Sequence, residues 1–218
     1  MKYNVDSAIS RRHSQHKISP SSHPAKFRHL KKHFEASIRA IHESMQMTYL
    51  TKPCQVISSL PVLYAQAAAL NDHFKGKVKD LSMNLDCTPC VSSVKKKDRA
   101  IEKLYRSYYG NAARLLDLVR ALISFETLSG LHACLEKIKE DPTIGVVGFK
   151  NRFKLENNSS SAGYRNIALN IIIVDDVTIA HGTSRHICEL QLGIKRLDDL
   201  RSEEGHKHYV EWRDMIGE

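Results

Sequence analysis

The longest apolar run in the chain, Ile167 to Val174, is interrupted by Asn170 and followed at once by Asp175 and Asp176. A membrane-spanning helix needs roughly 20 apolar residues, so this run reads as a buried strand. Nothing else in the 218 residues is more apolar, so the core is expected to come from several elements packed together. A chain of this length suggests one domain and can bury roughly 70% of its unfolded surface. Neither a disulfide nor a metal is required to hold it folded. The start, Met1-Lys-Tyr-Asn-Val-Asp6, lacks the apolar stretch of a secretory signal. The expectation is a soluble, cytoplasmic protein with no membrane partner.

The charge of +9 points to polyanions, whether nucleic acid, nucleotide phosphates or an acidic surface. Five cysteines, an odd number without framework spacing, fit a reducing compartment. Cys87-Thr-Pro-Cys90 is one isolated pair; a zinc site would want a second. It reads as two thiols in a loop.

Residues 1–24 carry Arg11, Arg12, His13, Ser21, Ser22 and Pro24 with little apolar content and read as a disordered basic arm. Nonspecific nucleic-acid binding by residues 11–33 competes with a plain solvated charge run, and the solvated reading is preferred. Residues 25–90 read as N-terminal helices. In the first, Phe27, Leu30, Phe34, Ile38, Ile41 and Met45 recur every three or four positions. His29, His33 and His42 lie on that pattern and read as solvated rather than metal-bound. A second helix is expected from Pro61 to about Met83, with a loop at Pro89 and Ser92-Ser93.

Beyond residue 90 the pattern becomes mixed. Helices are expected over Lys97–Tyr109, Thr127–Lys139 and Lys195–Met215. Strands are expected over Leu115–Phe125, Thr143–Lys154, Tyr164–Val174 and Arg185–Ile194, with a polar loop at Glu156–Ala162. Strand alternation sorts the side chains. Val147, Phe149 and Phe153 should face one way, with Lys150 and Arg152 opposite. Tyr164, Asn166, Ala168 and Asn170 should share a face, as should Glu189 and Gln191. Asp117 opens an otherwise apolar strand. An unpaired carboxylate inside a sheet costs several kcal/mol, so Asp117 and Glu189 must be ion-paired, metal-bound or exposed. One arrangement is a charged cleft where the two acids hold Mg²⁺, Lys150, Arg152 and Arg165 neutralise phosphates, and Tyr164 stacks on a base. The other is simple pairing with Arg120, Arg165 or Arg185.

The same residues resemble a known family. Gly163-Tyr164-Arg165-Asn166 is similar to the Gly-Tyr-Arg-Ser motif of the RelA/SpoT (alarmone) synthetases, and Cys188-Glu189-Leu190-Gln191 to their Val-Glu-Val-Gln strand. Asp117-Leu-Val-Arg120 sits where they have Asp-Ile-x-Gly-x-Arg. Lys150-Asn-Arg-Phe153 resembles Lys-Asp-Tyr-Ile, and Arg99-Ala-Ile-Glu-Lys103-Leu104 resembles Ser-Ile-x-x-Lys-Met. The matches run in order over about 110 residues. The resemblance places a synthetase-like domain at residues 91–218. It implies an α+β fold: a mixed sheet of about five strands flanked by helices, nucleotidyltransferase-like, here with an N-terminal helical extension.

The resemblance also implies a reaction, transfer of pyrophosphate from ATP to the 3′-hydroxyl of a guanine nucleotide with Mg²⁺. Asp117 would be the metal ligand, and Glu189 would bind metal or help deprotonate the hydroxyl. Tyr164 would stack on the acceptor base. Lys95, Lys103, Lys150 and Arg165 would contact phosphates, with Arg152, Asn166 and Gln191 completing the substrate site. The chain departs from the family at Arg120 and Leu122 (family Gly and Arg), Ala168 (His), Gly193 (Arg) and Arg99 (Ser). These departures leave the acceptor open: guanosine di- or triphosphate, another nucleotide or an RNA end. The competing reading is an inactive module, binding nucleotide or RNA on the same fold. No histidine–aspartate pair of the family's hydrolase domain stands in residues 1–90.

Overall fold

The computed structural model describes residues 52–153 and 165–199, together with Lys32 and Ala36 in a helix. The arm at 1–24, the rest of the first expected helix, the loop at 156–162 and the terminal helix past 199 lie outside the described residues. No helix among the described residues is long and apolar enough to cross a membrane.

Helix α1, Leu60–Ser82, carries Pro61 in its first turn, where the missing N–H costs nothing. It buries Leu63, Ala67, Leu70, Phe74, Val78 and Leu81, a stripe spaced three and four apart. Strand β1, Cys87–Val91, and helix α2, Lys97–Tyr108, follow. A short 3₁₀ turn, Ala112–Arg114, leads into β2, Arg120–Phe125. Helix α3, Leu128–Glu140, is capped by the Thr127 hydroxyl, which accepts from the Gly130 N–H at 3.1 Å. Strands β3, Ile144–Asn151, and β4, Asn166–Ile173, come next. Helix α4, Asp176–Ala180, starts with a capping box between Asp175 and Thr178. Strand β5, Cys188–Ile194, and α5, Lys195–Asp199, close the described part.

The five strands lie in the order β1-β2-β5-β4-β3, with β2 and β5 parallel and every other pair antiparallel. This is the expected mixed sheet flanked by helices. Helix α1 packs on β1, β2 and α3, while α3 packs on β2 and β5. Ala121, Ile123 and Phe125, then Ile167, Leu169, Ile171 and Ile173, then Cys188, Leu190 and Leu192 all join one core. The alternate residues form the opposite face in register rows. Gly148, Asn170, Glu189 and Arg120 make one row; Lys150, Ala168, Gln191 and Leu122 make the next.

Three expectations change. Cys87-Thr-Pro-Cys90 lies in strand β1, not in a loop. Pro89 is tolerated there because β1 is an edge strand and needs no donor on its outer side. Three residues apart on a strand, Cys87 and Cys90 point to opposite faces. Second, β2 begins at Arg120, so Asp117 lies in the turn before the strand. Third, a bulge between Val146 and Gly148 reverses the face of Val147. Phe149 and Phe153 pack on the core, whereas Val147 lines a cleft with Ile172 and Pro53.

Candidate functional site

Asp117 is 7% exposed. Its Oδ2 accepts from Lys95 Nζ at 2.5 Å and from Lys103 Nζ at 2.9 Å. Lys95 stands in the connection after β1, held there by its N–H donating to Leu118 O at 2.9 Å and by Tyr64, whose hydroxyl donates to Lys95 O at 2.9 Å. Lys103 projects from the middle of α2. Burial works to raise the Asp117 pKa, but the charges of Lys103 and Lys95 outweigh it and hold the carboxyl at about 2. Burial holds Lys95 below its ordinary range. Lys103 is also buried, yet the Asp117 charge and, more weakly, Tyr108 and Glu189 leave its pKa raised. Both acids therefore bear on one ammonium group. The Tyr108 ring sits beneath it, 5.3 Å from Nζ, with the Arg114 guanidinium at 4.8 Å.

Glu189 is half-buried at the start of β5, its N–H donating to Val119 O at 2.9 Å. A line of hydrogen bonds leads away from it across the face opposite the core. Gln191 Nε2 donates to Glu189 Oε2 at 2.8 Å, and Asn166 Nδ2 donates to Gln191 Oε1 at 3.1 Å. Arg152 Nη1 donates to Asn166 Oδ1 at 2.9 Å. Strand alternation supplies the two β5 members, and the antiparallel β4 supplies Asn166. Lys150 is exposed at the edge of the same face, opposite Ala168. Arg165 stands just before β4 and is half-buried. Tyr164 lies outside the described residues.

Of the two arrangements open to the acids, Asp117 takes ion pairing, but with two lysines rather than an arginine. Lys95 and Lys103, expected on phosphates, are turned onto this carboxylate. Sequence reasoning missed Tyr64 and Tyr108. Both sit on helices in patterns that read as packing, and their contacts with Lys95 and Lys103 arise only from tertiary placement.

A hard cation such as Mg²⁺ takes oxygen ligands and accepts one or two protein carboxylates, completing its shell with water and phosphate. Among the described residues, Asp117 Oδ1 is buried with no hydrogen-bond partner. A lone carboxylate oxygen in that state is what a cation would satisfy, and Glu189 supplies a second acid whose charge acts on the same lysine. Among the described residues no group of three or more His, Cys, Asp or Glu forms a full cage. The donor set therefore fits a cation that arrives with phosphates.

The chain is similar to alarmone synthetases. Small alarmone synthetase 2 from Bacillus subtilis shares 19% identity over 71% of this chain and 80% of that one, with a TM-score of 0.48. A GTP pyrophosphokinase family protein from Streptococcus pneumoniae shares 15% over 72% and 82%, with a TM-score of 0.49. The Type VI effector Tas1, solved with its immunity protein, shares 18% with a TM-score of 0.44. The alignment covers 64% of this chain and spans 63% of the Tas1 chain. No protein-family model matches the chain, and no curated protein matches it. The residue roles therefore rest on the geometry above.

Proposed function

We propose that this chain is a divergent nucleotide pyrophosphokinase, transferring the β,γ-pyrophosphoryl group of ATP to the hydroxyl of a nucleotide or an RNA end. The observation that carries the reading is Asp117 paired with Lys95 and Lys103 next to a sheet face that bears Glu189, Gln191, Asn166 and Arg152 in one hydrogen-bonded line. Phosphoryl-type transfer needs positioning and charge rather than a covalent nucleophile. Bound between Asp117, Glu189 and phosphate oxygens, Mg²⁺ would neutralise charge on the transferred group.

The chain's own residues do the rest. Lys95 and Lys103 keep Asp117 ionised, and incoming phosphates compete with that carboxylate for both ammonium groups. Gln191 holds Glu189 by its Oε2. Glu189 takes the hydroxyl proton as the new O–Pβ bond forms and the Pα–O–Pβ bridge breaks, releasing AMP. Arg152, Lys150 and Arg165 supply positive charge along the phosphate path, and Tyr164 supplies a stacking ring.

A second reading, a module that binds nucleotide without transfer, is favoured by one observation: Asp117 is closed to solvent and both lysines are committed to it. Incubation with labelled ATP, Mg²⁺ and a panel of nucleotides and tRNA separates the two. The enzyme reading expects label transfer that Glu189→Gln reduces by about a hundredfold or more. Nucleotide binding without transfer to any acceptor would establish the module instead.

A further inference from the structure

The segment before α1 carries a buried polar side chain that the chemistry above does not use. Gln55 is 3% exposed. Its N–H donates to Ala113 O at 2.7 Å. Its side-chain Nε2 donates to Leu115 O at 3.1 Å and to Ile187 O at 3.0 Å, while Oε1 accepts from the Ile187 N–H at 2.9 Å. Both amide protons and the amide carbonyl are thereby engaged.

The places it joins matter more than the number of bonds. Leu115 stands two residues before Asp117, and Ile187 two residues before Glu189. The ladder between β2 and β5 begins only at the pair Arg120 and Glu189. Upstream of that rung, the Gln55 side chain spans the two incoming segments, doing the work of a further strand pair. The span is stiff. Gly148 lets Pro53 lie against the sheet, where a Cβ would stand 2.9 Å from Pro53 Cγ and 2.7 Å from Asn170 Nδ2. A fully satisfied buried amide of this kind fixes one geometry, because any slip strands a buried donor or acceptor.

We propose that Gln55 is a positioning residue that sets the separation of Asp117 and Glu189, acting through Leu115 and Ile187. The inference deepens the pyrophosphokinase reading and rests on it for its catalytic consequence, though not for its geometric one.

The test compares Gln55→Leu, which keeps the bulk and loses the three side-chain bonds, with Gln55→Glu, which keeps the acceptor for Ile187. Lys77→Met is the control: Lys77 donates to Asp141 Oδ2 at 3.2 Å and to Thr143 Oγ1 at 3.0 Å, so it ties α1 to the connection between α3 and β3, away from both acid segments. Steady-state transfer and amide exchange at Glu189 are both measured. In Gln55→Leu, kcat should fall about 100-fold while the KM for ATP stays within about twofold, because a misplacement near 1 Å acts on the reacting geometry. Exchange of the Glu189 N–H should quicken about tenfold relative to amides of β4. Lys77→Met should change neither.

In Gln55→Glu, burial raises the new carboxyl's pKa, and only its protonated form can donate. Its kcat relative to the parent should therefore climb as pH is lowered. This variant decides the matter if Gln55→Leu does not fold. A kcat within about twofold of the parent in folded Gln55→Leu, or a ratio to the parent that does not change with pH in Gln55→Glu, would overturn the catalytic role. Unchanged Glu189 exchange would overturn the positioning itself. If the parent shows no transfer, the functional reading fails and the exchange measurement alone decides the inference about Gln55.

Discussion

The two faces of the sheet are made by the same strands and differ in almost everything else. On the covered face, Leu169 and Leu190 are fully buried beneath α1 and α3. One residue along, Asn170 and Glu189 stand half-exposed on the other side, with Gln191 hydrogen-bonded to the acid. Backbone pairing is common to both faces, so the contrast comes from the side chains alone. Stability is concentrated under the helices. Chemistry can then collect on the opposite side, where Glu189, Gln191, Asn166 and Arg152 have each other as partners.

The sharpest way to break this contrast is a matched pair on β5. Leu190→Ala should cost about 2–5 kcal/mol of unfolding free energy, through lost burial and the cavity left behind. Gln191→Ala, next along the strand, should cost under about 1 kcal/mol while lowering transfer activity. Urea unfolding of the two variants checks this, and equal costs would dissolve the distinction.

A smaller effect comes from Asp117, a buried charge at the rim. Its folded pKa of about 2 lies below the ordinary 3.8, so the unfolded chain binds its proton first. The group therefore stabilises the fold above about pH 4, by on the order of 2 kcal/mol. That contribution is lost as pH falls through about 2. Stability followed from pH 6 to 2 should decline less steeply in Asp117→Asn than in the parent, although that variant starts lower.

Gly148→Ala sharpens the comparison at the edge of the polar face. The added methyl would press on Asn170 and Pro53 and should cost about 1 kcal/mol, read as a lower denaturation midpoint. Least costly to stability is thiol labelling at pH 8. Cys54 and Cys90 are exposed and should react at once. Burial pushes the Cys134 thiol up to about 12 and raises that of Cys188 as well, so both should wait for unfolding.

Much of this architecture was legible along the chain. The three-and-four spacing of Leu63, Ala67, Leu70 and Phe74 announces α1, and the alternation through Asn166–Asn170 announces a strand with one polar side. Strand β1 was not legible, because Pro89 and the nearby serines carry turn signals while an edge position removes the penalty they signal. Asp117 was misplaced onto the strand because the apolar residues around it continue the pattern of β2 backwards through a turn. Val147 was given the wrong face because one extra residue in a bulge leaves no mark in the pattern. Gln55 gave no signal at all, since its partners are backbone groups 60 and 132 residues away.

By itself, then, the order of residues determined which side chains share a face, since a strand's period of two is a property of its own backbone. The tertiary structure decided which of those side chains meet. Lys95 and Lys103 reach Asp117 from a connection and a helix, and Gln55 bridges two segments before their strands begin. Such contacts depend on where distant backbones are brought together, and hydrogen bonds and charge pairs are decided over a few ångströms that no local propensity encodes.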